Sequence, residues 1–151
     1  MSIYREKLWP TPWQFISTAL VIPASLLVFL PINQTVGMIV AIALYIAIVA
    51  LLILASPVVE VTATHVVAGK ARLPIAVIGE LSAHFGDDAR AERGPELDAR
   101  AWLLIRGWIE PVVKVFLVDD ADPTPYWLVS TRRPEAVISA VAEARLRTPG
   151  R

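Results

Sequence analysis

Two long apolar runs constrain this chain more than any other feature of its sequence. Residues 13–30 form a run of 18 without a charge, and residues 36–54 form another of 19. At about 1.5 Å per residue, each run makes a helix about 27–28 Å long, close to the hydrocarbon thickness of a membrane. Helices of soluble proteins normally keep a polar stripe, so we predict two transmembrane helices in preference to two buried ones.

The two predicted helices form a hairpin within a first region, residues 1–56. The connection 31–35 is short, so the helices must be antiparallel neighbours. Pro23 lies mid-span, and its missing N–H predicts a kink near Ala19. A cleaved signal peptide is the alternative for the first run. It would have an apolar core of about 7–15 residues and an A-x-A-like cleavage site, and this run fits neither.

Aromatic and basic residues alternate ahead of the first run. Tyr4, Trp9 and Trp13 bracket Arg5 and Lys7, the pattern of a membrane–water boundary. We predict that these five side chains anchor the N-terminal segment at the membrane interface.

The lysines and arginines near the span ends predict the orientation of the hairpin. Arg5 and Lys7 precede the first span, Lys70 and Arg72 follow the second, and the connection 31–35 has none. Because basic residues favour the cytoplasmic side, we predict a multi-pass protein of the inner (plasma) membrane. Both termini are then cytoplasmic.

Composition excludes several classes of function. Hydrophobic residues make up 56% of the chain and charged residues 19%, and 14 basic residues balance 14 acidic ones. A nucleic-acid-binding protein would show a basic surplus, so we predict no nucleic-acid partner. The chain has no cysteine, which excludes disulfides, thiolate nucleophiles, iron–sulfur clusters and cysteine-ligated zinc.

Residues 57–151 hold most of the charge and alternate short β-rich segments with turns. A C-terminal amphipathic helix follows, with Thr131 as a possible cap, Pro134 near its first position and an apolar stripe. This order predicts an α+β domain, a bent antiparallel β-barrel of the pleckstrin-homology (PH) type closed by the helix. The predicted strands are 58–62, 66–68, 71–73, 77–85, 101–106, 112–118 and 126–130, and the apolar stripe is Val137, Ile138, Val141 and Ala144.

Three segments carry a family resemblance. They are residues 4–10 (YREKLWP), 69–74 (GKARLP) and, most specifically, 122–134 (DPTPYWLVSTRRP). With the two spans, they resemble the actinobacterial Domain of Unknown Function 3093 family over nearly the whole chain. The resemblance implies a small membrane protein of actinobacteria with a PH-like cytoplasmic domain, and it brings no activity.

The sequence carries no recognisable catalytic motif. Its two histidines, His65 and His84, lie in a predicted turn and at a predicted strand end, and no G-x-S-x-G elbow is present. The glycines form no phosphate-binding loop. We therefore predict that the protein is not an enzyme and has no cofactor.

Two acidic clusters could offer metal ligands, and we predict that neither is a metal site. The first lacks the three or four fixed ligands of zinc, and the second lacks EF-hand spacing. Their residues are His84, Asp87 and Asp88, and Asp119, Asp120 and Asp122.

Arg132 and Arg133 stand at the start of the predicted C-terminal helix, where positive charge opposes the helix dipole. They have two explanations. Their forked donors suit a phosphate or carboxylate, or they form ion pairs with the acidic turn 119–122. We favour the ion pair.

A turn at 107–111 holds the predicted partner contact. If every strand of the meander reverses the one before, turns 69–70, 86–100 and 119–125 face the membrane, and turns 63–65 and 107–111 lie far from it. We predict that Trp108, with Ile109 and Arg106, contacts a protein partner there. The alternative is that the apolar side chains fold back onto the barrel.

Two functions remain open. The first is a membrane-anchored, non-catalytic binding or assembly module, an accessory or scaffold for a membrane complex, with a protein partner or a second copy of the chain. The second is recognition of membrane lipid by the PH-like domain. The first hairpin turn, 63–65, has no Lys or Arg, which counts against headgroup binding at that turn.

Overall fold

The computed structural model describes residues 2–119 and 121–147. The chain divides into two compact units. The helical unit is Trp9–Ser56. The sheet domain combines the residues before Trp9 with those from Pro57 onward.

The helical unit contains three helices. They are α1 (Pro12–Thr18), α2 (Val21–Phe29) and α3 (Gln34–Leu54). Residues 12–29 and 34–54 are long and apolar enough to cross a membrane, and 0% and 11% of these stretches are buried. Most side chains of these stretches are therefore not buried within the protein.

The predicted kink is confirmed as an interruption between α1 and α2. Pro23 has no N–H to bond the carbonyl oxygen of Ala19. The N–H of Ile22 donates to that oxygen instead, at 3.0 Å. This tighter turn separates the two helices at Ala19 and Leu20.

The contact between α2 and α3 depends on a glycine. A Cβ atom added at Gly37 would lie 2.7 Å from Cβ of Phe29, closer than real side chains approach. Asn33 caps α3, and its Oδ1 accepts the N–H groups of Thr35 and Val36 at 2.9 and 3.2 Å. The short connection thus positions the helices as close neighbours.

The sheet domain contains two four-stranded sheets. The first is antiparallel in the order β1-β2-β3-β4, and a turn of 3-10 helix, Ile75–Val77, follows it. The second has the order β5-β7-β8-β6. The strands are β1 (Ser2–Lys7), β2 (Val58–Thr62), β3 (His65–Ala68), β4 (Ala71–Pro74), β5 (Ile78–His84), β6 (Trp102–Leu104), β7 (Val112–Leu117) and β8 (Tyr126–Ser130); the helices are α4 (Gly86–Glu92) and α5 (Pro134–Arg147).

Strand β1 belongs to the sheet domain, whereas the prediction grouped the residues before Trp9 with the helices. Residues 2–7 pair with β2, with Glu6 opposite Val59 and Lys7 opposite Val58. Leu8 is fully buried in the core of the sheet domain. The helical unit is therefore an insertion between two paired strands, and the described residues hold eight strands instead of about seven.

The strands do not close into one barrel. They form two separate sheets, and α5 packs against strands of both, including β1, β2, β5 and β7. The predicted C-terminal helix and its apolar face are confirmed. The buried residues of that face are Val137, Ala140, Val141 and Ala144.

One parallel pair, β6 with β8, overturns the predicted meander. After β5, α4 and the loop that follows carry the chain along the sheet before β6 begins. A connection of this kind joins parallel strands. Every strand from β6 onward therefore runs opposite to the direction that simple alternation predicts.

The two ends of the sheet domain can now be named. The crossing end is where the chain leaves for the helical unit and returns from it, and there the N–H of Leu8 donates to the carbonyl oxygen of Pro57 at 2.9 Å. The far end is opposite. At that end Ile75 N–H bonds Thr64 O at 2.9 Å, and Val118 N–H bonds Val77 O at 2.8 Å.

Candidate functional site

A buried carboxylate, Glu6, joins the two ends of the chain. This residue is only 8% exposed. Oε2 accepts the hydroxyl of Thr131 at 2.6 Å and the phenol of Tyr4 at 2.8 Å, while Oε1 accepts the N–H of Arg132 at 3.2 Å. The site therefore combines the first and last of the three segments that carry the family resemblance.

Local structure explains this meeting. Tyr4 and Glu6 are two residues apart on β1, so both side chains project from the same face. Thr131 directly follows β8, and its N–H bonds the carbonyl oxygen of Pro111 at 3.1 Å. The Thr131 hydroxyl also accepts the N–H of Arg133 at 3.2 Å, which fixes the chain as it enters α5.

The two predicted arginines complete the site. Nη1 of Arg132 lies 3.5 Å from Oε1 of Glu6, and the Arg133 guanidinium lies 5.6 Å from the centre of the Tyr4 ring. Among the described residues, the acidic partner of Arg132 is Glu6, which the predicted ion pair did not include. Asp119 and Asp122 lie at the far end of the sheet domain, and Asp120 falls outside the described residues. Burial raises the pKa of the Tyr4 phenol, and the neighbouring Glu6 adds to this shift.

A cleft of about 260 Å³ opens beside these arginines. Phe85 is 46% exposed although it is a large apolar side chain. The cleft thus offers an aromatic face beside two guanidinium groups, with one carboxylate nearby. Its lining residues are Phe85, Arg132, Arg133, Pro134, Glu135 and Ala136.

A second buried carboxylate, Glu92, holds α4 against the outer face of the second sheet. Glu92 is 5% exposed, and its Oε2 accepts Nζ of Lys114 on β7 at 2.7 Å. Its Oε1 lies 3.8 Å from Nε2 of His84. The Lys114 ammonium also lies 4.3 Å from the centre of the Tyr126 ring, a cation–π contact.

His84 also links a hydroxyl and a second carboxylate. Its Nε2 is 2.8 Å from Oγ of Ser82, and its Nδ1 is 2.6 Å from Oδ2 of Asp88. This order of bonds is that of a serine–histidine–acid arrangement. Because Glu92 also approaches Nε2, we interpret the imidazole as a bridge that fastens α4 to β5.

The structure describes every residue of the two acidic clusters except Asp120. Within residues 2–119 and 121–147, no group of three or more potential ligands is arranged to hold a metal ion. Asp87 instead pairs with Arg90 at 2.5 Å. Asp119 and Asp122 accept backbone N–H groups of their own turn, at 3.0 and 2.9 Å.

The predicted partner contact folds back onto the sheet domain. Ile109 is 2% exposed and belongs to the core, so its prediction is wrong. Trp108 is half-buried, and its indole N–H donates to the carbonyl oxygen of Leu8 at 3.4 Å. Arg106 is half-buried too, and its Nη1 donates to the carbonyl oxygen of Ile105 at 3.0 Å. This turn therefore lies at the crossing end, because the parallel strand β6 reverses its predicted position.

The predicted interface anchors are divided between the two units. Tyr4, Arg5 and Lys7 lie on β1, whereas Trp9 and Trp13 belong to the helical unit. Trp9 and Trp13 are 46% and 68% exposed. Contact of all five with a bilayer stays a prediction.

Sequence reasoning missed Glu6, Glu92 and Lys114 as site residues. A usable signal existed for Lys114, because it is the only charge inside the apolar strand 112–117. A buried lysine requires a carboxylate partner, although its position in the sequence does not identify which one.

These features define a class: a small α+β protein in which two apolar helical stretches, each long enough to cross a membrane, are inserted between the first two strands of a sheet domain. The chain belongs to the family described as Protein of unknown function (DUF3093), whose model matches residues 3–141. The match confirms the resemblance seen in the sequence. Neither the curated proteins nor the solved structures gave a match.

Proposed function

We propose that this protein is a membrane-anchored, non-catalytic binding or assembly module, an accessory or scaffold protein of a membrane complex. Its sheet domain, which we assign to the PH-like class, holds a protein partner or a second copy of the chain. The protein is multi-pass in the inner (plasma) membrane, with both termini cytoplasmic.

The insertion of the helical unit between β1 and β2 carries this proposal. Paired strands share one aqueous compartment, so an apolar hairpin between them must return to the side from which it started. The bond from Leu8 N–H to Pro57 O holds the two crossing points together. The lysines and arginines on the flanking segments favour the cytoplasm.

The PH-like assignment rests on the order of elements. Two antiparallel-rich sheets precede a C-terminal helix that packs on both of them. The family resemblance implies the same class. A reporter fused after Arg151 tests the topology: we expect cytoplasmic fluorescence, and alkaline phosphatase activity would contradict it.

The cleft beside Arg132 and Arg133 is the protein contact that we favour. Exposed aromatic residues with neighbouring arginines are enriched at protein interfaces. Affinity purification of the full-length chain from detergent-solubilised membranes tests it. We expect Phe85→Ala to lower recovery of specific partners. Leu146→Ala is the matched control, because Leu146 is 84% exposed outside the cleft.

Partner recovery that Phe85→Ala leaves unchanged would contradict this contact. The non-catalytic part of the proposal has its own test at Ser82, the hydroxyl nearest His84. We expect no labelling of the chain by a fluorophosphonate probe. Labelling that Ser82→Ala abolishes would contradict a non-catalytic role.

Lipid recognition by the sheet domain is the second candidate function. Turn 63–65, the hairpin turn without Lys or Arg, lies at the far end. Basic residues lie instead at the crossing end, which specifically favours this second candidate.

A further inference from the structure

We propose that the crossing end of the sheet domain binds anionic lipid headgroups through a basic surface made by Lys7, Lys70 and Arg106. The proposal rests on the proposed membrane anchoring. It adds the face of the domain that meets the bilayer and the chemistry of the lipid that this face prefers.

The first two basic residues lie at the crossing point itself. Lys7 is opposite Val58 in the first sheet. Lys70 is exposed in the turn between β3 and β4, where the N–H of Gly69 donates to the carbonyl oxygen of Val58 at 2.8 Å. A Cβ atom added at Gly69 would lie 3.5 Å from Cβ of Pro57.

The second sheet brings Arg106 to the same end. Cδ1 of Leu104, at the end of β6, would lie 3.7 Å from a Cβ atom added at Gly69. The turn after β6 is closed by the N–H of Ile109, which donates to the carbonyl oxygen of Arg106 at 2.9 Å. Trp108 of this turn bonds Leu8, and such half-buried tryptophans suit the membrane–water boundary.

The two ends of the sheet domain differ in charge. The crossing end carries charges of both signs, with basic residues in excess. The exposed acidic residues there are Asp87, Asp88, Glu110 and Glu135, and the exposed or half-buried basic residues are Lys7, Lys70, Arg90, Arg106, Arg132 and Arg133. At the far end, the turn after β7 exposes Asp119 and Asp122, and Arg145 of α5 donates to the carbonyl oxygen of Ile78 at 2.6 Å. An anionic leaflet attracts basic residues near its surface and repels acidic ones. The domain's charges therefore favour the crossing end facing lipid, which is also the end joined to the apolar helices.

The absence of cysteine makes a clean test possible, because one introduced cysteine is a unique label site. Gly107→Cys places a label at the crossing end, where an added Cβ meets no atom within 4 Å. Ala121→Cys places a control label in the exposed far turn. The full-length chain is placed in nanodiscs of phosphatidylcholine, with or without phosphatidylglycerol, containing a lipid with a headgroup quencher.

We expect the label at 107 to be quenched more strongly with phosphatidylglycerol, and less strongly as salt is raised. The label at 121 should stay unquenched. Lys70→Glu should lower the headgroup-bound population about five-fold, and adding Arg106→Glu should lower it further. Arg100→Glu is the matched control, because Arg100 is an exposed arginine at the far end. It pairs with Asp98, whose N–H donates to the phenol oxygen of Tyr126 at the start of β8.

Two outcomes would overturn the inference. One is equal quenching at 107 with and without phosphatidylglycerol, and the other is stronger quenching at 121. The single variant Lys70→Glu should fold normally, because this side chain is exposed in a hairpin turn. A loss of headgroup binding in this variant is therefore not a consequence of misfolding. Failure of the chain to enter nanodiscs at all would contradict the membrane anchoring of the proposed function instead.

Discussion

Glu6 and Glu92 are both buried carboxylates, yet the protein compensates their charges differently. Two hydroxyls and a backbone N–H surround Glu6, and the nearest guanidinium nitrogen is 3.5 Å away. Glu92 has an ammonium at 2.7 Å and an imidazole nitrogen at 3.8 Å. Glu6 therefore depends on several weaker donors, whereas Glu92 depends mainly on one lysine.

The two carboxylates also connect different parts of the chain. The bond from Thr131 to Glu6 spans 125 residues and joins β1 to the entry of α5. The bond from Lys114 to Glu92 spans 22 residues and fixes a short helix to the sheet beneath it. We infer that loss of the Glu6 site loosens the N-terminal strand, while loss of the Glu92 site releases α4.

The largest effect should follow Lys114→Met, which removes the main counter-charge of Glu92. Breaking one partner of a buried pair typically costs about 3–5 kcal/mol, because the remaining charge stays buried. We expect a loss of that size in the free energy of unfolding, measured with the full-length chain in detergent micelles.

Arg90→Met is the matched control for Lys114→Met. Arg90 and Asp87 form an exposed pair whose side chains are 73% and 95% exposed. Exposed pairs contribute little to stability. If Lys114→Met lowers the free energy of unfolding as little as Arg90→Met does, the pair of Lys114 with Glu92 does not hold α4 in place. The contrast between the two carboxylates would then fail.

Thr131→Val should have the next largest effect, since it removes one of several donors to Glu6. An unsatisfied buried acceptor costs about 1–3 kcal/mol, and the remaining donors should keep the loss below that of Lys114→Met. Chemical unfolding in micelles measures it. The control is Ser139→Ala, an exposed hydroxyl on α5 that bonds the carbonyl oxygen of Glu135.

A Thr131→Val variant that loses more stability than Lys114→Met would reverse the comparison. Hydrogen exchange adds a readout of location. We expect faster exchange in β1 for Thr131→Val, and faster exchange in α4 for Lys114→Met.

The sequence predicted those elements whose pattern is local. The apolar runs predicted both long apolar helical stretches and the break at Pro23, and the stripe after Pro134 predicted α5. Strand β1 was missed because its pairing partner lies more than fifty residues away, beyond the apolar hairpin. Pairing over such a distance leaves no periodic pattern in six residues.

The candidate sites were less predictable than the fold. Arg132 and Arg133 were identified because they oppose the helix dipole, but the contact of Arg132 with Glu6 was not predicted. Identifying Glu6 required the pairing of β1. The position of Trp108 was wrong for a related reason: α4 carries the chain across the sheet, and strand alternation cannot anticipate such a crossing.

Tyr4→Phe tests the comparison between Glu6 and Glu92, because it removes one of the weaker hydrogen-bond donors to Glu6. We expect a loss of about 0.5–1.5 kcal/mol near neutral pH. The pKa of Tyr4 is raised in the folded protein, chiefly by burial. Its contribution to stability is therefore complete below its unfolded pKa of about 10, and is lost as pH rises through the folded pKa.

The free energy of unfolding should accordingly fall less steeply above about pH 10 in Tyr4→Phe than in the natural chain. Urea unfolding between pH 8 and 11 measures this slope. Equal slopes in the two proteins would show that the folded protein does not hold the phenol in its neutral form.

The smallest effect should come from the exposed pair Asp98–Arg100. Hydrogen bonds from the Arg100 side chain and backbone lower the pKa of Asp98 to about 2. The pair's contribution is present above the unfolded pKa of about 3.8 and is lost as pH falls towards the folded value. Arg100→Ala removes the guanidinium but keeps the backbone N–H, so the pKa should rise only part of the way. Carboxyl chemical shifts across pH 1.5–6 measure it. Solvent screens an exposed charge, so stability at neutral pH should hardly change, in contrast to Lys114→Met. If Arg100→Ala markedly lowered the free energy of unfolding at pH 7, the exposed pair would contribute as the buried Glu92 pair does, and exposure would not explain the difference between them.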